Sequence, residues 1–441
     1  MFGKVLLLTV LAVEASAQTA TPAQGAQVTG AASGNAAITI SLPDAIRLAQ
    51  VNASQFRTAV TDAGIAHEDK VQARAALLPS LAYQTGAIFT QPNGTPSGVF
   101  IPNDGVNVYL SQGVAHEGLS VGLVSDFRRA RALEAVAKAK KEIALRGLVT
   151  TVVKDYYGVI VARDKLQNAQ AAADDAQRFL TLSRQLEQGG EVAHSDVIKA
   201  QLQANDRTLA VQDALLAEES AKLGLAVLIF PNFTENFDVV NDLDQVAPLP
   251  EFVEAQALAG KNNPEIAAVT EAMKASQHEV TAAFAGHLPS LTMDYWYGIE
   301  ANHYALRTGN INNFGYSFAA TLNVPIFNWG ATQSQVKSAE LQRDLARVQM
   351  SEAQRTALAN LRIFYREAET ARGQLDVLRQ SVDLAAESLR LTTLRYQGGE
   401  ATALEVVDAQ NALLQARNNY DDGAARYRTA VAQLQTLTGS F

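Results

Sequence analysis

The chain has 441 residues, 48% of them hydrophobic and 18% charged, with 36 Lys+Arg against 45 Asp+Glu and a formal net charge of -9. An acidic chain without a basic block is a poor ligand for nucleic acid, whose phosphates need a positive surface. Cysteine is absent, which excludes disulfides, thiolate metal sites, a Cys nucleophile and lipid attachment at an N-terminal Cys. The six histidines show no metal-ligand spacing, so neither a metal nor a cofactor is expected.

Residues 1–17 read as a signal peptide: Lys4, an apolar run from Val5 to Val13, and Ala15-Ser16-Ala17 as a small-x-small cleavage site. Residues 18–40 follow as a flexible lead, too rich in Ala, Thr, Gln and Gly to bury a core. No later stretch offers about 18 consecutive apolar residues, so a membrane role would have to use strands.

Ser41-Leu42-Pro43-Asp44 is a helix start, with a Ser cap and an acid three residues on. That helix runs to about Leu78, because Pro79 pushes the residue before it out of the α region. A strand follows through Leu81, Tyr83, Ala87 and Phe89, then a loop from Gln91 to Gly105, and a partner strand around Val106, Val108 and Leu110. A very long helix comes next, with a seam at Leu166, Ala169, Ala173, Ala176 and Leu180. It breaks at Gly189-Gly190 and returns to about residue 230, where a linker of residues 231–250 begins.

The second half repeats the first. Leu78-Pro79-Ser80-Leu81 recurs as Leu288-Pro289-Ser290-Leu291, and Gln188-Gly189-Gly190-Glu191 as Gln397-Gly398-Gly399-Glu400, with offsets of 289 − 79 = 210 and 398 − 189 = 209; Tyr156 matches Tyr365. Residues 41–230 and 251–441 are therefore two copies of one unit, far longer than a solenoid repeat. In the second copy Asn263-Pro264-Glu265 is the helix start. Its strands alternate clearly: Leu291, Met293, Tyr295, Tyr297 and Ile299 on one face, then Phe314, Tyr316, Phe318, Ala320 and Leu322 on the partner. From Ala331 to Tyr396 there is no proline and one glycine, a helix on the order of 100 Å long at about 1.5 Å per residue. Its seam is Leu375, Leu378, Val382, Ala385 and Leu389.

Taken in this order, and with Val324-Pro325-Ile326-Phe327-Asn328-Trp329-Gly330 after the last strand and Gly399-Glu400-Ala401-Thr402-Ala403-Leu404-Glu405-Val406-Val407-Asp408-Ala409 at the second tip, the chain resembles the TolC family of outer-membrane efflux proteins. The resemblance implies a mainly α fold with a β-barrel: a homotrimer whose protomers give four strands each to a twelve-stranded outer-membrane barrel, continued across the periplasm by an α-helical coiled-coil barrel. It implies a passive exit duct in outer-membrane lipid, joined through a periplasmic adaptor to an inner-membrane transporter. Catalysis is not expected. Four strands cannot close alone in lipid, which agrees with trimerisation. The helix breaks at Asn52 and Asn262, the linker and the C-terminal end would form an equatorial belt.

Site residues follow from the tips. Gly189, Gly190, Gly398 and Gly399 let the chain reverse, and the resemblance implies that these turns dock the adaptor. Glu405 and Asp408 are three apart on one helix face, and three-fold repetition would make them a pore constriction of six carboxylates. The first tip carries Lys199 where the second has Asp408, and Gly113-Val114-Ala115-His116-Glu117-Gly118 stands where the second copy has Val-Pro-Ile-Phe, leaving the first strand-to-helix crossing undefined. Two other readings remain. One is an exported envelope coiled-coil binding protein with small soluble β heads. The other is an exported hydrolase using Asp294 with Glu300, or Asp196 with His194.

Overall fold

The computed structural model describes residues 38–89, 107–232, 236–243, 245, 248–301 and 304–440. The signal peptide, most of the lead and the loop from Gln91 to Gly105 lie outside the described residues. In chain order the elements are β1 (Ile38–Ile40), α1 (Leu42–Asn52), α2 (Ser54–Ala75), β2 (Ser80–Phe89), β3 (Asn107–Leu119), α3 (Val121–Gln188), α4 (His194–Ile229), β4 (Phe237–Val239), α5 (Phe252–Asn262), α6 (Pro264–Ala285), β5 (Ser290–Ala301), β6 (Arg307–Thr308), β7 (Ile311–Asn312), β8 (Phe314–Asn323), α7 (Ala331–Gln397) and α8 (Ala403–Thr438). No helix among the described residues is long and apolar enough to cross a membrane.

Each copy has two short helical pieces, a strand pair, a long helix of 68 or 67 residues and a returning helix of 36. The two helix-start signals do not occupy equivalent places. Ser41 caps α1, with its hydroxyl accepting from Asp44 N at 3.4 Å, whereas Asn263 caps α6, its side-chain oxygen accepting from Glu265 N at 2.8 Å. The counterpart of α1 is α5, and the first helix is interrupted at Ala53, in an extended conformation with φ -66 and ψ 119.

β2, β3, β5 and β8 form one antiparallel sheet in that order. The register puts Leu81, Ala115, Tyr295 and Phe318 in one row, and Tyr83, Gly113, Tyr297 and Tyr316 in the next row of the same face. The other face carries Gln84, Gln112, His116, Asp294, Trp296 and Ser317. Here His116 Nδ1 lies 2.6 Å from Asp294 Oδ1. β3 extends through residues 113–118 instead of ending near Leu110, so the first crossing is well defined: Leu119 ends the strand and Ser120 caps α3, accepting from Leu123 N at 3.2 Å. At Gly298 the sheet is so close that a Cβ would stand 2.3 Å from the Ser111 carbonyl oxygen. The second crossing is strained: Trp329 has φ 57, a left-handed conformation that costs an L-residue about 1–2 kcal/mol.

The helices form a second layer in matching order. α2 packs on α3, α3 on α6, and α6 on α7, while farther from the sheet α3 packs on α4 and α8, and α7 on α8. The largest core lies where the helices break. Tyr156, 1% exposed, donates to the carbonyls of Ile40 at 3.2 Å and Val240 at 2.9 Å, and burial pushes its phenol up to about 12. The tyrosine thereby holds the parallel pair β1–β4 against α3. Ile38–Ile40, read from the sequence as the end of the lead, is ordered by that pairing. The matching Tyr365 stacks edge-on against Phe252 at 5.1 Å.

Between the two helical hairpins, Asn168 of α3 donates to Asp421 of α8 at 2.8 Å, and Lys165 pairs with Asp422 at 2.7 Å. Burial, with the nearby Asp164 charge, raises the Asp421 carboxyl to about 6. A raised carboxyl pKa penalises the folded state as pH climbs from about 4 through about 6, because the unfolded chain ionises first. Asp421→Asn keeps the acceptor for Asn168 and removes the charge. It is expected to stabilise the protein at pH 8 by about 1 kcal/mol, allowing for solvent screening, and to give no gain at pH 4; denaturation of the two proteins at both pH values checks this.

Candidate functional site

The sheet-distal ends of the two helical hairpins gather the residues singled out from the sequence. α3 and α7 end alike. Glu191 N donates to Leu186 O at 2.9 Å and Glu400 N to Arg395 O at 2.8 Å, the six-to-one bond of a Schellman ending. Only the second glycine of each pair needs the left-handed region: Gly190 has φ +75 and Gly399 φ +72, against -74 for Gly189 and -86 for Gly398. The pairs therefore differ in what they tolerate. Gly398→Ala is expected to leave stability unchanged, whereas Gly399→Leu strains the turn by about 1–2 kcal/mol; thermal unfolding of both variants tests the difference.

The two starts are unequal. α8 opens with a capping box, Thr402 N donating to Glu405 Oε1 at 3.1 Å and Glu405 N to Thr402 Oγ1 at 3.4 Å. α4 starts at His194 after Ala193, which provides no side-chain cap, and its first-turn Asp196 accepts from Lys199 at 3.2 Å. Glu405 also meets Arg395 at 3.4 Å. Its carboxyl is held below the usual range by the Thr402 backbone and hydroxyl bonds, then by Arg395. Glu405 and Asp408 are both exposed on α8, while Val406, Ala409 and Gln410 between and beyond them are buried. The structure thus places the two carboxylates on one exposed face and commits one of them to the cap.

Between the tips lies a small core of Ala176, Phe179, Leu180, Val197, Ala200, Tyr396, Ala403 and Val406. Its centre is Tyr396, 2% exposed, whose ring tilts against Phe179 at 5.1 Å and whose hydroxyl donates to Ser183 at 3.1 Å. Burial pushes this phenol up. These three residues lock hairpin α3–α4 to hairpin α7–α8. The sequence reading missed them, although an aromatic residue three positions before Gly399 was the available signal. Beside them a groove of about 490 Å³ between α3 and α7 is lined by Phe179, Leu182, Leu389, Thr393, Arg390 and Gln410. The Gln410 Oε1 atom is buried with no hydrogen-bond partner among the described residues.

The hydrolase pairs are not assembled. His194 Nδ1 is bonded to Glu187 at 2.6 Å and not to Asp196. Asp294 faces His116, and Glu300, six residues farther along the same strand, is on the order of 20 Å away. No group of three His, Asp or Glu side chains able to hold a metal occurs among the described residues.

Residues 256–440 match the family model described as outer membrane efflux protein. The chain is 27% identical over 399 residues to the outer membrane protein TolC of Vibrio cholerae serotype O1, covering 89% of each. It is 23% identical over 415 residues to the alkaline protease secretion protein AprF of Pseudomonas aeruginosa, covering 91% of this chain and 85% of that protein. Among solved structures, the outer membrane protein VceC of Vibrio cholerae superposes with a TM-score of 0.81 at 19% identity, over 90% of this chain and 96% of that one.

Proposed function

The chain belongs to the outer membrane efflux protein family and is TolC-like, and from that premise we propose that three copies close into one duct whose tips receive a periplasmic adaptor. The protein resides in the outer membrane and is the exit duct of an efflux or secretion system, a conduit and not an enzyme.

The observation that carries the trimer is that both layers are open at the same two ends. The sheet runs β2-β3-β5-β8 and the helices above it α2-α3-α6-α7. α2 buries no residue, and Val60, Ile65 and Val71 on it are exposed, as are Leu341, Leu345 and Val348 on α7. Farther down, Leu202, Leu209, Leu216 and Leu223 of α4, and Val377, Leu384 and Leu391 of α7, are exposed at seven-residue spacing, the period of a seam that needs a partner helix. Pairing β8 with a neighbour's β2 and α7 with its α2 satisfies both layers with one rotation.

In that ring Glu405 and Asp408 line the constriction, attracting cations to the mouth. Arg395 offsets part of the Glu405 charge, so Asp408 dominates. The adaptor docks on the Gly189-Gly190 and Gly398-Gly399 turns and along the α3–α7 groove. Single-channel recording tests the ring. Asp408→Ala should lower cation selectivity and divalent block several-fold, and Glu405→Ala should do so less; unchanged selectivity in both variants removes the ring and leaves the duct. Cross-linking to the adaptor tests the docking, and Gly399→Leu should weaken it while trimers still form.

A further inference from the structure

We propose that Glu117 is a headgroup site on the lipid face of the barrel, taking the primary ammonium of a phosphatidylethanolamine from the periplasmic leaflet. This rests on the outer-membrane duct reading above.

The residue is out of keeping with its surroundings. The register sets Glu117 in one row with Met293 and Ala320, on the face that carries Tyr295, Tyr297, Tyr316 and Phe318. Every other residue that β2, β3, β5 and β8 give to this face is uncharged. Apolar rows flank it on both sides: Ala115, Tyr295 and Phe318 away from the helices, and Leu119, Leu291 and Leu322 toward them. Its side chain is half-buried, and the Oε2 atom is buried with no hydrogen-bond partner among the described residues. A carboxylate so placed costs free energy that the protomer does not recover by itself.

The rest of the assembly does not supply the missing cation. The adjacent His116 belongs to the opposite face, where its Nδ1 lies 2.6 Å from Asp294 Oδ1. β3 lies between β2 and β5, so a ring closed through β2 and β8 leaves Glu117 uncovered. The tips that receive the adaptor are at the far end of α3, whose 68 residues span about 100 Å. What meets this face is lipid.

Position and chemistry select the headgroup. Glu117 stands one row, about 7 Å along the strand, from Leu119, where β3 ends and α3 is about to begin. At this end of the sheet the headgroups of the periplasmic leaflet are within reach. A primary ammonium brings a full charge and three N–H donors, and its bond to a carboxylate is charge-assisted. Choline has the charge without an N–H donor, and a glycerol headgroup brings no cation. Three copies place three such sites around the ring.

Native mass spectrometry of detergent-purified trimers tests this, with phosphatidylethanolamine, phosphatidylcholine and phosphatidylglycerol of identical acyl chains added singly, with and without EDTA. The parent should retain up to three phosphatidylethanolamines per trimer, several-fold more than of either other lipid, and EDTA should change nothing. Glu117→Gln keeps the shape, removes the charge and should lose the preference. Met293→Lys keeps Glu117 and offers it an internal ammonium from the facing strand position, about 5 Å away, so it should lose the preference too and serves if Glu117→Gln yields no trimers. Equal retention of all three lipids by the parent would overturn the proposal in favour of a carboxyl that needs no counter-charge. A preference that survives in either variant would overturn it in favour of a site elsewhere, and one abolished by EDTA in favour of a bridging divalent cation. In each of these cases conducting trimers leave the duct reading intact, whereas a parent that forms no membrane trimers overturns the two together.

Discussion

Phe318→Arg is expected to abolish assembly in the outer membrane, while Ala319→Arg, one residue along, is tolerated. Phe318 shares a row with Leu81, Ala115 and Tyr295 on the apolar face. An Arg on the lipid face of a barrel costs about 2–4 kcal/mol near the bilayer midplane, and a trimer carries that cost three times. Ala319 shares its row with Ser80, His116 and Asp294 on the polar face, where an added guanidinium reaches Asp294 in the lumen. Semi-native gels of outer-membrane fractions read the outcome. Equal loss in both variants would mean that the faces are not lipid and lumen.

Tyr396→Ala is expected to unlock the tips. Truncating a fully buried aromatic side chain costs about 3–5 kcal/mol, and here the loss falls on the contact joining the two hairpins, because Phe179 and Ser183 lose their shared partner. The hairpins separate, and single-channel conductance rises. Tyr396→Phe keeps the ring and leaves the buried Ser183 hydroxyl without its donor, for about 1 kcal/mol, so it should shift conductance in the same direction by less. An unchanged conductance in Tyr396→Ala, with intact trimers, would show that this lock does not hold the mouth.

Local signals made much of this architecture legible. The Leu-Pro-Ser stops, the alternation of β5 and β8, and the unbroken run to Tyr396 each depend on neighbours a few residues away, and the corresponding elements end within a few residues of where those signals put them. What was missed depends on distant partners. Ile38–Ile40 is a strand because Phe237–Val239 lies alongside it. Residues 113–118 look unlike a strand, since Gly113, His116, Glu117 and Gly118 interrupt the alternation, yet they are held between β2 and β5. At the tips, Glu405 and Asp408 were recognisable as one face. That Arg395 and the Thr402 cap engage Glu405 was not, because a helix start and a pore acid look the same in sequence. The Tyr396–Ser183 bond joins residues from different copies, which no spacing within either copy reveals.

Three-fold closure of two open layers is the centre of this account, and the mass of the detergent-solubilised assembly tests it most directly. Light scattering with the bound detergent subtracted should give three protomers, persisting on dilution because β8 and α7 each gain a neighbour. A monodisperse monomer, with β2 and β8 still exposed as edges, would contradict it.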